Sequence, residues 1–310
     1  MSDKKQAYLI MAHTNWNQLK LLFTQIDDVN NDIFLHINEL VEAPSYEELR
    51  GVLKYSRLFL CDKRYPIFWG DSNGPKVQFE LLKKAFSVDK YWYYHFISGM
   101  DLLLKTNKEI TDFLNRNEYI QSTEHMTNYI EIQKCPKILE PRVKHYNFFK
   151  QHWGSSNKLE LVLFRGANKL LRYIQYALKI DRTRKWDLEL FQGSNWWSIS
   201  DECARLYYSK QDDVNRMFDK WGFSVDEFSI QTIIGNSDLA DTFYKPKAKG
   251  IRANMRLVDF DNGNGLGSPH VFTSIDYDAI VNSGCIFARK FDERIDNQII
   301  LMICNKQKCV

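Results

Sequence analysis

GSNWWSISDECARLYYSKQDDVNRMFDKWGFSVDEFSIQTII, residues 193–234, is the stretch on which the fold turns. Gly193-Ser194 is a tight-turn signal, followed by two tryptophans, Trp196 and Trp197. Apolar residues then recur at helical spacing at Ile199, Cys203, Leu206 and Tyr207, and again at Val214, Met217 and Phe218. Trp221-Gly222 breaks the pattern, and Asp226-Glu227 opens a second apolar-periodic helix. The two acids have two readings. In one, Ser224 is an N-cap and Glu227 its capping-box partner. In the other, Glu227 is a general base. Adjacent helical residues point ~100° apart, so only one of the two acids can face a given substrate atom.

Upstream, QAYLIMAHTN and DIFLHINE flank a helical pattern from Trp16 to Ile26, with Leu19, Leu22, Phe23 and Ile26 on one face. The unbroken apolar run Tyr8–Met11 suits a strand covered on both faces. This β-α-β opening predicts a parallel sheet with ligands at the carboxyl ends of its strands, where His36 and Asn38 fall. A short helix over 46–54 and a strand over 57–60 come next. A loop at Trp69-Gly70 then runs into a helix begun by Gly74-Pro75. Trp92–Ile97 reads as a central strand that breaks into the turn Ser98-Gly99-Met100-Asp101. Residues 108–118 are helical. Residues 121–184 are irregular in pattern, with Arg142 just after Pro141 and a helix over 165–178. RTRKW at 182–186 reads as a solvated basic face, or as a contact for an acidic glycan or a lipid phosphate. Asp259-Phe260-Asp261 lies in a Gly/Asn-rich loop and reads as a turn, and 276–281 as a short helix. The chain closes its pattern at Ile286–Asp292.

At 310 residues, 44% of them hydrophobic, the chain can bury a substantial core. A net charge of +3 argues against broad nucleic-acid binding, which needs concentrated positive charge. Aromatic residues make up 14%, which suits either a ring-rich core or a cleft facing sugars. The six cysteines form no CxxC pair and no metal-ligand spacing, so they read as buried apolar residues or thiols. The apolar run Ala7–Ala12 is too short for a signal segment or a membrane span. The expectation is a cytoplasmic, bacterial protein, peripheral at the inner face of the plasma membrane.

Four segments, in order, resemble the core-2/I-branching glycosyltransferases, which add β-1,6-linked N-acetylglucosamine to glycans. They are YWYYHFISGMDLLLKT, GSNWW, SVDEF and GSPHVFTSIDYDAIVNSGCIFARKFD. The peptide O-xylosyltransferases share these signatures. The resemblance runs from Ala7 to about Asp292. It implies an α/β, GT-A-type fold: one domain over 1–310 with a mixed, mostly parallel sheet flanked by helices. Residues 1–120 would be the nucleotide half and 121–310 the acceptor and catalytic half.

By the same resemblance Glu227 is the general base of an inverting transfer from a UDP donor to a glycan hydroxyl. Lys290, with Arg289, grips the diphosphate. His13, His36, Asn38 and Asp101 are donor-side residues. Ser194, Trp196 or Trp197, and Asp226 belong to the acceptor side. The chain departs from the family at Asn38, where relatives carry Asp. Leu103 and Val225 stand where relatives carry proline. It has one aspartate, Asp101, where many nucleotide-sugar transferases hold a metal with Asp-x-Asp. The resemblance therefore implies no metal or other cofactor, with cations stabilising the leaving diphosphate. No arginine lies between His270 and Ala288, so a second phosphate contact is either missing or comes from Arg252 or Arg256. Two alternatives are a UDP-xylose-dependent protein xylosyltransferase and a catalytically silent carbohydrate-binding protein.

Overall fold

The computed structural model describes residues 4–119, 124–152, 157–248, 250–263 and 268–308. In chain order its elements begin with β1 (Gln6–Ala12), α1 (Trp16–Ile26), β2 (Asn31–Ile37), α2 (Tyr46–Arg50) and β3 (Arg57–Leu60). Then come α3 (Gly74–Val88), β4 (Tyr93–Ser98), β5 (Leu102–Leu103) and α4 (Asn107–Arg116). The middle of the chain holds β6 (Gln133–Lys134), α5 (Pro141–Lys144), α6 (Lys158–Ala177) and β7 (Phe191–Gln192). The last third holds β8 (Trp197–Ser200), α7 (Asp201–Ser209), α8 (Gln211–Met217), α9 (Ser229–Gly235), β9 (Arg256–Val258), α10 (Tyr277–Val281), β10 (Phe287–Arg289) and α11 (Asn297–Lys308).

Among the described residues the central sheet has five strands in the order β3-β2-β1-β4-β8. All neighbours are parallel except β8, which runs antiparallel to β4 at the edge. This is the mixed, mostly parallel sheet expected of a GT-A-type α/β protein. Alternate residues of β1 feed two cores. Tyr8 and Ile10 pack with α1, α4 and α11 residues on one face, while Ala7 and Leu9 pack with α3, α7 and α9 residues on the other. Both faces are therefore buried, which is why β1 reads as the unbroken apolar run Tyr8–Met11. A smaller sheet, β5-β10-β9, sits beside the first and carries Arg289 at its end.

A chain of polar groups crosses the sheet interior. His95 on β4 contacts Gln6 Oε1 at 2.9 Å and Ser198 Oγ at 2.7 Å. Burial, with Arg256 nearby, lowers its pKa to about 3, so the ring is neutral. Arg256 donates to Ser198 Oγ and to the carbonyls of Trp197, Phe96 and Asn254. Charge-assisted bonds of this kind contribute roughly 1.5–3 kcal/mol each. Arg256 is thus spent inside the protein and is no phosphate contact.

The helical spacing after GSNWW is carried by a helix pair, α7 and α8, with Lys210 between them, while Ile199 belongs to β8. Other local expectations need correction. The irregular stretch holds a helix of 20 residues, α6, longer than 165–178. The terminal segment QIILMICNKQK, beyond the last sequence pattern at Ile286–Asp292, forms part of α11, whose Ile299, Ile300 and Ile303 enter the core. In the RTRKW run, Arg182 is not solvated, since it pairs with Asp219 and donates to the Val143 carbonyl at 3.1 Å. Arg184 and Lys185 are exposed. Cys61, Cys135, Cys203 and Cys285 carry free thiols, and Cys309 lies outside the described residues.

Candidate active site

Two adjoining cavities open on the carboxyl-end side of the central sheet. The strand-end cavity, about 460 Å³, begins where β1 and β2 stop, at Met11, Ala12, His13 and Asn38. Its walls include Trp69, Asp71, Asp226, Glu227, Arg289 and Lys290. The side cavity, about 470 Å³, is lined by Glu131, Gly193, Ser194, Arg252 and Ala253, among others. Asn195, Trp196, Glu227, Phe260 and Arg289 line both, so they form the partition. Cavities at strand ends beside a change of strand order are the usual ligand sites of such sheets.

Glu227 reaches the partition by a route the sequence did not show. Ser224 adopts a left-handed conformation, φ 47° and ψ 50°, and its side chain caps nothing. The capping box is absent, and α9 starts later, at Ser229. The Glu227 carboxylate instead accepts from Arg142 of α5 at 2.7 Å. Its carbonyl accepts from the Gly193 amide at 2.9 Å, which joins GSNWW directly to SVDEF. Only glycine fits there, because a Cβ on Gly193 would lie 1.9 Å from the Glu131 carbonyl oxygen. Asn195, beside Glu227, is held by Gln78 of α3 at 2.7 Å. Gln78 is held in turn by Tyr207 at 2.8 Å.

The charges are divided between the walls. Glu227 is open to the cavity, with 41% of its side chain exposed, but protein surrounds it on the other sides. That burial raises its pKa, and Arg142 opposes the rise. Asp226 is pushed up to about 7, first by burial and then by the charges of Glu227 and Asp71. On the other wall, burial and then Arg289 lower the pKa of Lys290, whose ammonium touches Ser268 Oγ at 2.9 Å. Burial, followed by Arg289, Lys290 and Arg294, lowers His13 as well. Cations and His13 thus line one side of the strand-end cavity, and acids the other.

The expected residues divide accordingly. Glu227, Asp226, Lys290, Arg289, His13 and Asn38 meet around the strand-end cavity, and Ser194 lines the side cavity. Asn38 spends its amide on the Ile67 and Leu40 backbone, which shapes the loop before Trp69. Three expected residues are buried and line neither cavity. His36 accepts from the Tyr65 amide at 2.9 Å; burial and Arg64 hold its pKa at about 4. Asp101 accepts from the Ser98 amide and pairs with Arg289 at 2.9 Å, so it orients the guanidinium. Trp197 is wholly buried and stacks on Phe96.

Trp196 reaches the partition, but it is only 9% exposed. Phe96 stacks 5.1 Å away, and the Arg289 guanidinium lies 4.4 Å from its ring centroid. It offers a sugar an edge rather than a face. Phe260, 51% exposed, lines both cavities and offers more ring surface, with the Arg252 guanidinium 5.5 Å from its centroid. Its place in an apparent turn concealed it, although the turn itself is real: Asp259 accepts from the Asn262 amide at 3.0 Å. Arg252, 3.7 Å from Glu131, lies on the side cavity rather than with Lys290. Arg142 carried no signal beyond a charge after a proline. Among the described residues no group of three or more His, Cys, Asp or Glu side chains could hold a metal ion.

The raised Asp226 pKa has a consequence for stability. Between about pH 4 and pH 7 the folded protein keeps a proton that the unfolded chain has lost, so stability falls as pH rises. Asp226→Asn removes this titration. Its melting temperature should gain on the unsubstituted protein between about pH 4 and pH 8. A constant difference across that range would show that Asp226 titrates normally.

Comparison with known proteins follows the same lines. The Core-2/I-Branching enzyme family profile matches residues 6–277, which leaves Arg289 and Lys290 outside the matched span. No curated protein matches the chain. Among solved structures, core-mannan synthase A of Aspergillus fumigatus, in a manganese and GDP form, is similar at 12% identity and TM-score 0.32. The match covers 75% of this chain and 70% of that one. Mouse xyloside xylosyltransferase 1, in its apo form, is similar at 10% identity and TM-score 0.32, over 74% and 81% of the two chains. Likenesses this distant carry no argument about the site. The family match spans most of the chain, with Asp226 and Glu227 inside it, and on it the protein belongs to the core-2/I-branching family of glycosyltransferases.

Proposed function

We propose that the protein is an inverting, metal-independent glycosyltransferase that moves N-acetylglucosamine from UDP to a glycan hydroxyl. One observation carries this reading: Glu227 stands on the partition shared by a cation-walled cavity at the strand ends and a second cavity beside it. The strand-end cavity suits the nucleotide donor, with Lys290 and Arg289 at its diphosphate, and the side cavity suits the acceptor. On this reading residues 1–120 and 121–310 act as donor and acceptor halves of one domain. Peripheral membrane contact is part of the same reading.

In the transfer, Glu227 takes the proton from the acceptor hydroxyl as that oxygen attacks the anomeric carbon. The bond from that carbon to the UDP oxygen breaks, and the departing oxygens gain charge facing Lys290 and Arg289. Fixed cations in a partly dry cleft stabilise such charge without a divalent ion. Asp101 keeps Arg289 aimed, and Arg142 keeps Glu227 ionised and oriented. Phe260 supports the sugar between the two cavities.

Glu227→Gln should cut transfer by ~10²–10⁴-fold while UDP still binds in calorimetry. Loss of UDP binding in a folded variant would move Glu227 to the donor side. Transfer should persist in EDTA, and strict dependence on manganese would overturn the cation-only account. Arg142→Gln removes the charge that lowers the Glu227 pKa, so the acidic limb of the rate profile should move to higher pH. The deficit should be ~10-fold near pH 6 and shrink above it. A uniform deficit at every pH would reduce Arg142 to packing. A donor screen separates UDP-N-acetylglucosamine from UDP-xylose, and donor hydrolysis argues against a silent binding protein.

A further inference from the structure

α6 is built inside out for a helix in water. The face it turns to the protein holds Gln175, which bonds both backbone groups of Tyr146, and Phe164, stacked 4.0 Å from His152. The opposite face is an apolar stripe at helical spacing: Leu159, Val162, Leu163, Leu170, Tyr173 and Ile174. Leu159 is 83% exposed, Val162 71% and Leu163 67%. An exposed apolar patch of this kind marks an interaction surface.

A cationic row runs along one flank of the stripe. Arg165, Lys169 and Arg172 recur at i, i+4 and i+7, so they share a side of the helix. With Tyr173, Tyr176 and Ile138 they line a cavity of about 450 Å³ in which no carboxylate takes part among the described residues. Twenty residues give a helix ~30 Å long. No helix among the described residues is long and apolar enough to cross a membrane. An apolar stripe beside a cationic flank with tyrosines between them is the composition of a helix that lies in a bilayer interface.

We infer that α6 docks the protein flat on an anionic phospholipid bilayer, with the stripe among the acyl chains and the cationic cleft on lipid phosphates. Charge complementarity selects this occupant. Twofold antiparallel pairing with a second copy would set the two cationic rows side by side and supply them no anion. The inference deepens the peripheral-contact part of the proposed function and is independent of the transfer chemistry. Gln175, on the face opposite the stripe, ties α6 to the stretch just after α5, the helix that carries Arg142.

The test is co-sedimentation of the full chain with phosphatidylcholine vesicles, with and without phosphatidylserine. The anionic vesicles should bind the protein, the neutral ones far less, and added salt should release it as screening shortens. Lys169→Gln with Arg172→Gln should weaken binding about 25-fold, from roughly fivefold per cation. Leu163→Ser with Leu170→Ser should weaken it by ~10-fold or more, with unchanged circular dichroism. The salt titration needs no variant, so the inference is testable even if one misfolds. No binding to anionic vesicles at low salt, or equal binding to neutral ones, overturns it. So does a dimer that the leucine variant dissociates, because the stripe then belongs to a second copy. The vesicle readout uses neither donor nor acceptor, so its failure leaves the transfer reading untouched.

Discussion

Two adjacent carboxylates in a half-dry cleft cannot both be fully charged unless something answers them. Asp226 and Glu227 create that demand, and much of the surrounding architecture responds to it. Arg142 arrives from α5, 85 residues away, to pair with Glu227. Among the described residues Asp226 receives no such partner, and its proton is held more tightly instead. Gly74, the first residue of α3, leaves the room this needs, since a Cβ there would lie 2.6 Å from Asp226 Cβ. The result is one carboxylate paired with a cation and one whose pKa is lifted to about 7, a difference set by environment rather than residue type.

The cationic wall follows the same logic. Arg289 has Asp101 on one side and the Trp196 ring on the other, so its position is determined before any ligand arrives. Preorganisation of this kind gives a charge its value in catalysis, because nothing must rearrange when the transition state forms. The same guanidinium lines both cavities, so a ligand in either one meets a group already fixed by the core.

Much of the frame was legible because its signals are local. The apolar runs of β1 and β3, the Gly74-Pro75 helix start and the turn at Asp259 could be read from neighbouring residues. The order of four motifs then pointed to a family. What escaped depends on contacts between distant segments. His36 and Asp101 sit at strand ends, as ligands would, but their side chains are buried, and no pattern within their own segments says so. The Ser224 cap failed because the backbone there turns left-handed and a remote arginine captured the acid. Trp196 and Trp197 are indistinguishable as letters; the pleat sends one to the partition and the other to the core.

The polar chain Gln6–His95–Ser198–Arg256 bears on that last pair. A strand at the edge of a sheet can slide along its neighbour, and a shift of one residue would exchange the inward and outward tryptophans. Ser198 fits only one position opposite His95, and Arg256 clamps the Trp197 carbonyl from the far side. The edge is therefore pinned from within. The loops around α6 can lengthen or shorten in evolution without shifting the register that separates Trp196 from Trp197.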